Sequence, residues 1–193
     1  WTNNGSVGTP TAVKTIPIAR THGVLFFGAM SGASILRPAA GDPVVVNFRA
    51  SYAEETRAMI RIILSHGIRL DEIAFFTQDD SYGEDGYQGA IRALRARGFE
   101  KGPDLPRGRF TRGTLDVEAA LITLLDAKRP IKAIIMVGSY APNAKFIRLA
   151  RQVFRERFAG RSTALEGGNA RDLRRGAFRG DLVLGGVGLE FFE

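Results

Sequence analysis

The sequence predicts an α/β fold, parallel strands flanked by helices, and three observations predict it. Residues 24–27, 73–76 and 131–137 are apolar runs, the last broken only by Lys132, and all are too short for helices. After each comes a polar turn, and after most of them a segment with apolar residues at helical spacing, the alternation of a βαβ chain. The turns at 28–34, 77–82 and 138–142 are small and hydroxyl-bearing. Crossover units that all run the same way collect such turns on one sheet edge, where open sheets bind ligands.

Thr9 before Pro10 fits a helix N-cap with proline at the first helical position, where a missing amide costs nothing. Pro17 inside the same helix would remove an internal hydrogen bond and kink it. After the run at 24–27, the segment 28–34 is small enough for backbone to approach a ligand, or is an ordinary loop. Val44, Val45, Val46 and Phe48 read as another strand. Ser51 and Glu54 stand in the S-x-x-E spacing of a capping box, and Thr56, Met59, Ile60, Ile63 and Leu64 line one face of the helix they open.

Residues 73–98 organise the chain. The apolar strand gives way at Thr77, Ser81 and Glu84 repeat the capping box, and Tyr87, Ala90, Ile91 and Leu94 recur at i, i+3, i+4, i+7. Gly98 supplies the left-handed residue that stops a helix. Residues 99–113 lack a period and read as loop or weak strand. Thr114 fits the cap of a helix carrying Val117, Leu121, Leu124 and Leu125. The run at 131–137 then leads to Pro142 at a helix start, with Phe146, Ile147, Ala150, Val153 and Phe154 on its buried side. Past Arg161 the sequence turns Gly- and Arg-rich, and the runs at 182–184 and 187–192 read as two strands needing no helix between them.

Composition narrows the function classes. At 193 residues and 45% hydrophobic content the chain can bury one large core or two small ones. It has no cysteine, which excludes disulfides, thiolate nucleophiles and cysteine-ligated zinc. His22 and His66 are far apart, each followed by a Gly that can end a helix, so no histidine metal site or triad is expected. The net charge of +7 invites a nucleic-acid reading. Yet Arg92, Arg95, Arg97, Lys101, Arg107, Arg109 and Arg112, and Arg148, Arg151, Arg155 and Arg157 further on, fall on polar helix faces or in loops. No exposed aromatics interleave them to stack bases, so a solvated basic surface is expected and nucleic acid is not. No apolar run reaches the roughly 20 residues that span a bilayer. Trp1 opens neither a signal peptide nor a start methionine, so a mature, tagged or truncated product is expected.

Asp79, Asp80, Glu84 and Asp85 offer an enzyme reading, since they cluster near a strand end as acidic residues do in magnesium-dependent phosphoryl-transfer sites. The turn lacks a P-loop, and Gly83, Gly86 and Gly89 are spaced G-x-x-G-x-x-G, not G-x-G-x-x-G. Capping and solvation explain the carboxylates more simply, so no catalysis, metal or cofactor is expected.

The ordered pieces VGTPTA, GVLFFGAMSGASILR, NFRASY, IAFFTQDDSYGEDG and IIMVGSYAPNAKFIRLAR resemble the periplasmic substrate-binding proteins of ABC transporters, of the branched-chain amino acid type with the type I periplasmic-binding fold. The resemblance implies two Rossmann-like lobes, each incomplete here. Residues 1–50 would be a partial first lobe, 51–160 the core of the second, with a crossing at 48–53, and 161–193 an unassigned C-terminal segment. It implies an extracytoplasmic protein that closes on an amino acid or other small carboxylate and delivers it to an ABC permease, its secretion signal lying upstream of Trp1. A sensory ligand-binding domain of a receptor would share the same fold and pocket.

By the same resemblance Thr9 reaches the ligand's carboxylate at a helix start, with simple capping as its alternative. Ser31 and Gly32 clamp that carboxylate and the amino group through a hydroxyl and backbone groups. Tyr82 and Tyr140 are the aromatics the second lobe brings down, with half-buried packing as the alternative, and Glu166 is the acidic partner of an ammonium group. If Glu166 is only a surface carboxylate, a simple or aromatic carboxylate ligand gains ground.

Overall fold

The computed structural model describes residues 2–4, 6–37, 42–162, 182–184 and 187–191, with side chains in 6–37 and 42–153. Glu166 lies outside the described residues. The first part runs β1 (Thr2–Asn4), α1 (Thr9–Thr21), β2 (Leu25–Phe27) and β3 (Val45–Val46), which form a parallel sheet in the order β1-β2-β3. Next come α2 (Tyr52–Ser65), β4 (Ile73–Gln78), α3 (Ser81–Arg95), β5 (Arg107–Phe110), α4 (Glu118–Leu125), β6 (Ala133–Val137) and α5 (Tyr140–Ser162). Two short strands follow, β7 (Leu182–Leu184) and β8 (Val187–Phe191), and the second sheet is ordered β5-β4-β6-β8-β7.

Within that sheet β5, β4 and β6 are parallel, whereas β8 runs antiparallel to both β6 and β7. The α/β class stands, and the closing pair is a hairpin at its edge. Antiparallel neighbours need only a tight turn, and for that reason no helix separates the last two apolar runs.

The central strands are buried on both faces, as a sheet covered by helices requires. Ile73 and Phe75 of β4, with Ala133, Ile135 and Val137 of β6, pack into one cluster with α2 and α3. Their alternates Ala74, Phe76, Ile134 and Met136 pack with α4, α5 and Phe110. There Phe76 stacks on Phe110 and Phe146 at centroid distances of 4.8 and 4.0 Å. The first cluster continues without a break into Ala12, Ile16, Phe26 and Leu36 of the first part, so one apolar body underlies both sheets.

Each glycine of the G-x-x-G-x-x-G series has a packing reason. A Cβ on Gly83 would fall 1.9 Å from the Gln78 carbonyl oxygen, one on Gly86 2.7 Å from Val137 Cγ1, and one on Gly89 2.8 Å from the Ala53 Cα. That stripe lets α3 lie against β4, β6 and α2 at backbone distance.

The caps divide between expectation and correction. Ser51 and Glu54 form the complete reciprocal box, and Gly23, Gly67 and Gly98 take left-handed φ of 61°, 74° and 76° behind their helices. At α3, however, Asp80 and not Ser81 is the cap: its carboxylate accepts the Tyr82 and Gly83 amides at 2.9 and 3.2 Å. A charged acceptor at a helix N-terminus outcompetes a hydroxyl. Glu84 is thereby free to bind Arg107 at 2.9 Å and Gln88 at 2.8 Å. At α1 the cap position is Gly8, with φ 92°, and Thr9 is already helical, so Thr9 makes no cap. The helix passes through Pro17, which lies on its exposed side.

Further departures are local. Thr114 does not open α4, which starts at Glu118, and its hydroxyl instead closes a turn onto the Thr111 carbonyl at 2.9 Å. Phe48 is 82% exposed and outside β3, and Leu64 points away from the core. Arg107 is no solvated cation, because its guanidinium lies 3.8 Å from the Tyr87 ring centroid and its Nε donates to Thr77 Oγ1 at 2.9 Å.

Candidate functional site

A cleft of about 420 Å³ lies where the strands end. All six parallel strands lead to it: Thr9 after β1, Met30 after β2, Tyr52 after β3, Gln78 at the end of β4 and Tyr82 after it, Arg112 after β5, and Tyr140 after β6. This is the placement that open parallel sheets impose on ligand sites.

Three helices begin at the cleft, α1 at Thr9, α3 at Ser81 next to Tyr82, and α5 at Tyr140. The starts of α1 and α5 each carry roughly half a positive charge, which favours an anion, whereas at α3 the Asp80 carboxylate already takes the Tyr82 and Gly83 amides. Arg49 and Arg112 add two guanidiniums to the lining. Behind them stand carboxylates: Glu55 pairs with Arg49 at 3.0 Å, and Asp80 lies 3.8 Å from Arg112. Burial lifts the Glu55 carboxyl above its ordinary range despite the pull of Arg49.

The first wall is a cluster of hydroxyls. Thr9 and Ser31, 2% and 0% exposed, lie 2.9 Å apart, Oγ1 to Oγ. The Tyr52 hydroxyl closes the group, 3.4 Å from Thr9 and 3.3 Å from Ser31. Tyr52 is 4% exposed, the first residue of α2, and its amide donates to the Gly32 carbonyl at 2.9 Å. Its ring needs a glycine at 32, where a Cβ would come within 2.7 Å of Tyr52 Cδ1.

The second wall is aromatic and more open. Asp80 fixes the start of α3, so Tyr82 sits on the first helical turn with its ring 5.0 Å from that of Tyr52. Burial, then the neighbouring Tyr52 and Glu55, push the Tyr82 phenol far above its ordinary value, so it remains a neutral donor. Tyr140 is 71% exposed on the rim.

Of the residues singled out from the sequence, Thr9, Tyr82 and Tyr140 thus share one cleft. Ser31 and Gly32 stand one layer behind it, the first against Thr9 and the second against Tyr52. Tyr52, Arg49, Gln78 and Arg112 also line the cleft and had not been singled out. Tyr52 carried one signal, its place directly after the Ser51 cap at the end of a crossing. Arg112 carried none, being one cation in a basic loop. No group of three or more metal-ligating side chains occurs among the described residues.

The family model for periplasmic binding proteins matches residues 4–170. The chain belongs to the periplasmic binding protein family. Among solved structures, a possible leucine/isoleucine/valine-binding protein from Rhodopirellula baltica SH 1 is 50% identical, with a TM-score of 0.72 over 77% of this chain and 39% of its own. A substrate-binding periplasmic protein from Ralstonia solanacearum is 26% identical, with a TM-score of 0.63 over 77% of this chain and 40% of its own. A branched chain amino acid ABC transporter protein from Thermus thermophilus with bound valine shares the fold at 16% identity, with a TM-score of 0.61 over 77% of this chain and 37% of its own. The chain therefore spans about two-fifths of the length of these proteins. No curated protein matches its sequence.

Proposed function

We propose that this chain forms part of an extracytoplasmic solute-binding protein that captures an amino acid or other small carboxylate and hands it to an ABC importer. One observation carries the reading: the starts of α1 and α5 and two arginines meet at a single cleft that Tyr82 and Tyr140, on the first turns of α3 and α5, also line. The helix starts and guanidiniums suit an anionic group, and the tyrosines offer flat apolar faces and phenolic hydrogen bonds to the rest of a small molecule. Membership of the family supports a binding role in the periplasm. Similarity to the Rhodopirellula protein, a possible leucine/isoleucine/valine-binding protein, supports a branched-chain amino acid among the candidates.

In this reading the two sheets are the cores of two lobes, 1–50 and 51–160, joined at 48–53. Thr9, Tyr82 and Tyr140 contact the ligand, Ser31 and Gly32 back the first wall, and Glu166 meets an ammonium group where the ligand has one. Affinity comes from contacts complete only when both walls meet the ligand. Calorimetry with L-valine, L-leucine, phenylacetate and benzoate tests it. At least one should bind in the presence of a metal chelator, and Tyr82→Ala should weaken that binding by roughly 1–3 kcal/mol. Absence of binding by all four, or an unchanged affinity in the variant, refutes the assignment.

A further inference from the structure

The hydroxyl cluster on the first wall has a direction. Thr9 Oγ1 donates to the Tyr52 hydroxyl, and the Ala33 amide donates to Ser31 Oγ at 3.2 Å. Each hydroxyl carries one proton and accepts at two lone pairs. The three groups therefore satisfy one another when Ser31 donates to Thr9, Thr9 to Tyr52, and Tyr52 back to Ser31.

Two of those protons, on Thr9 and on Tyr52, can be redirected at small cost, because both residues line the cleft. If Ser31 withdrew its proton from Thr9, the proton would have no other acceptor in the cluster but Tyr52, and Ser31 is fully buried away from the cleft. If Tyr52 turns its proton outward, Ser31 still accepts from Ala33 and still donates to Thr9, and Thr9 still donates to Tyr52. No buried donor is stranded. The move is a rotation about one C–O bond, and a carboxylate in the cleft offers a stronger acceptor than a serine hydroxyl. Donation along the relay also polarises the phenol at its end.

We infer that Tyr52 is a further ligand-contacting residue of this cleft, whose phenol donates to the ligand's carboxylate, and that Ser31 and Gly32 are positioning residues acting through it. The inference rests on the carboxylate-binding reading above. It also reassigns the second layer. Ser31 orients the relay, and the missing side chain at Gly32 makes room for the Tyr52 ring, which the Tyr82 ring holds from the other side.

The test compares four carboxylates, L-valine, L-leucine, phenylacetate and benzoate, with their neutral amides on the wild-type protein, Tyr52→Phe, Ser31→Ala and the double variant. Tyr52→Phe keeps the ring and its packing and removes only the hydroxyl. Loss of a hydrogen bond to a charged acceptor should lower affinity for the binding carboxylate roughly 10- to 100-fold and shrink the carboxylate-over-amide preference. Ser31→Ala should shrink the same preference by less, and adding it to Tyr52→Phe should bring no further loss, the mark of two groups acting in series. Carboxylate binding by Tyr52→Phe equal to wild type overturns the inference and leaves the carboxylate reading standing. Losses of equal size for acid and amide overturn it as well, since they show packing and not donation. If the wild type binds none of the four carboxylates, inference and reading fall together.

Discussion

The two walls of the cleft differ in how their polar groups are kept. On the first, Thr9, Ser31 and Tyr52 are buried and already bonded to one another, and the Tyr52 amide is tied to the Gly32 carbonyl. On the second, Tyr82 is half-buried against Tyr52 and Tyr140 is exposed at the rim. The difference separates two demands on a binding site. A preorganised wall lowers the ordering cost of binding, whereas an open wall leaves groups whose contacts await the ligand. The first wall should therefore register mutations in folding stability as well as affinity, and the outer second wall in affinity alone.

The sharpest test of that contrast is Gly32→Ala. Its new Cβ would meet Tyr52 Cδ1 at 2.7 Å and the Ala50 carbonyl oxygen at 2.8 Å, the latter a backbone atom with little room to yield. Denaturant unfolding should show a loss of roughly 1–3 kcal/mol, the usual cost of forcing extra atoms into a packed site. Thr9→Val comes next. It keeps the side chain's shape but takes one member from the hydroxyl ring, leaving the buried Ser31 without its acceptor at 2.9 Å. A loss of about 1–2 kcal/mol in the same measurement is expected. The smallest effect belongs to Tyr140→Ala, where a side chain already 71% exposed is removed. Its unfolding free energy should stay within about 0.5 kcal/mol of wild type while ligand affinity falls. A Tyr140 variant as unstable as Gly32→Ala would erase the distinction between the walls.

Much of the fold was legible in the sequence because its signals are local. The strand at 73–76, which the structure extends to Gln78, the buried face of α3 and the Ser51 box each depend on residues within a turn or two. So does the left-handed stop at Gly98. The misreadings came from competition between neighbours. Ser81 had the right spacing to cap α3, but Asp80 stood one residue nearer the strand end with a full charge. Thr114 was drawn into a turn, and α4 began four residues later. The sense of β8 against β6 is a long-range pairing for which the run at 187–192 holds no information.

The site divides the same way. Thr9, Tyr82 and Tyr140 were found because the family resemblance marks loop tips. Tyr52 was missed because its importance arises from hydroxyls 43 and 21 residues away in the chain, a distance at which spacing says nothing. Arg107 had seemed one of many surface cations, and only the arrangement of Thr77, Glu84 and Tyr87 around it distinguishes it.

The glycine stripe on α3 bears on any attempt to re-engineer this pocket. With Gly83, Gly86 and Gly89 each abutting another segment at less than a carbon's width, the helix that carries Tyr82 cannot be slid or thickened to suit a larger guest. New selectivity would have to be written at the rim, around Tyr140 and Arg112, where side chains can be exchanged without disturbing the seat beneath them.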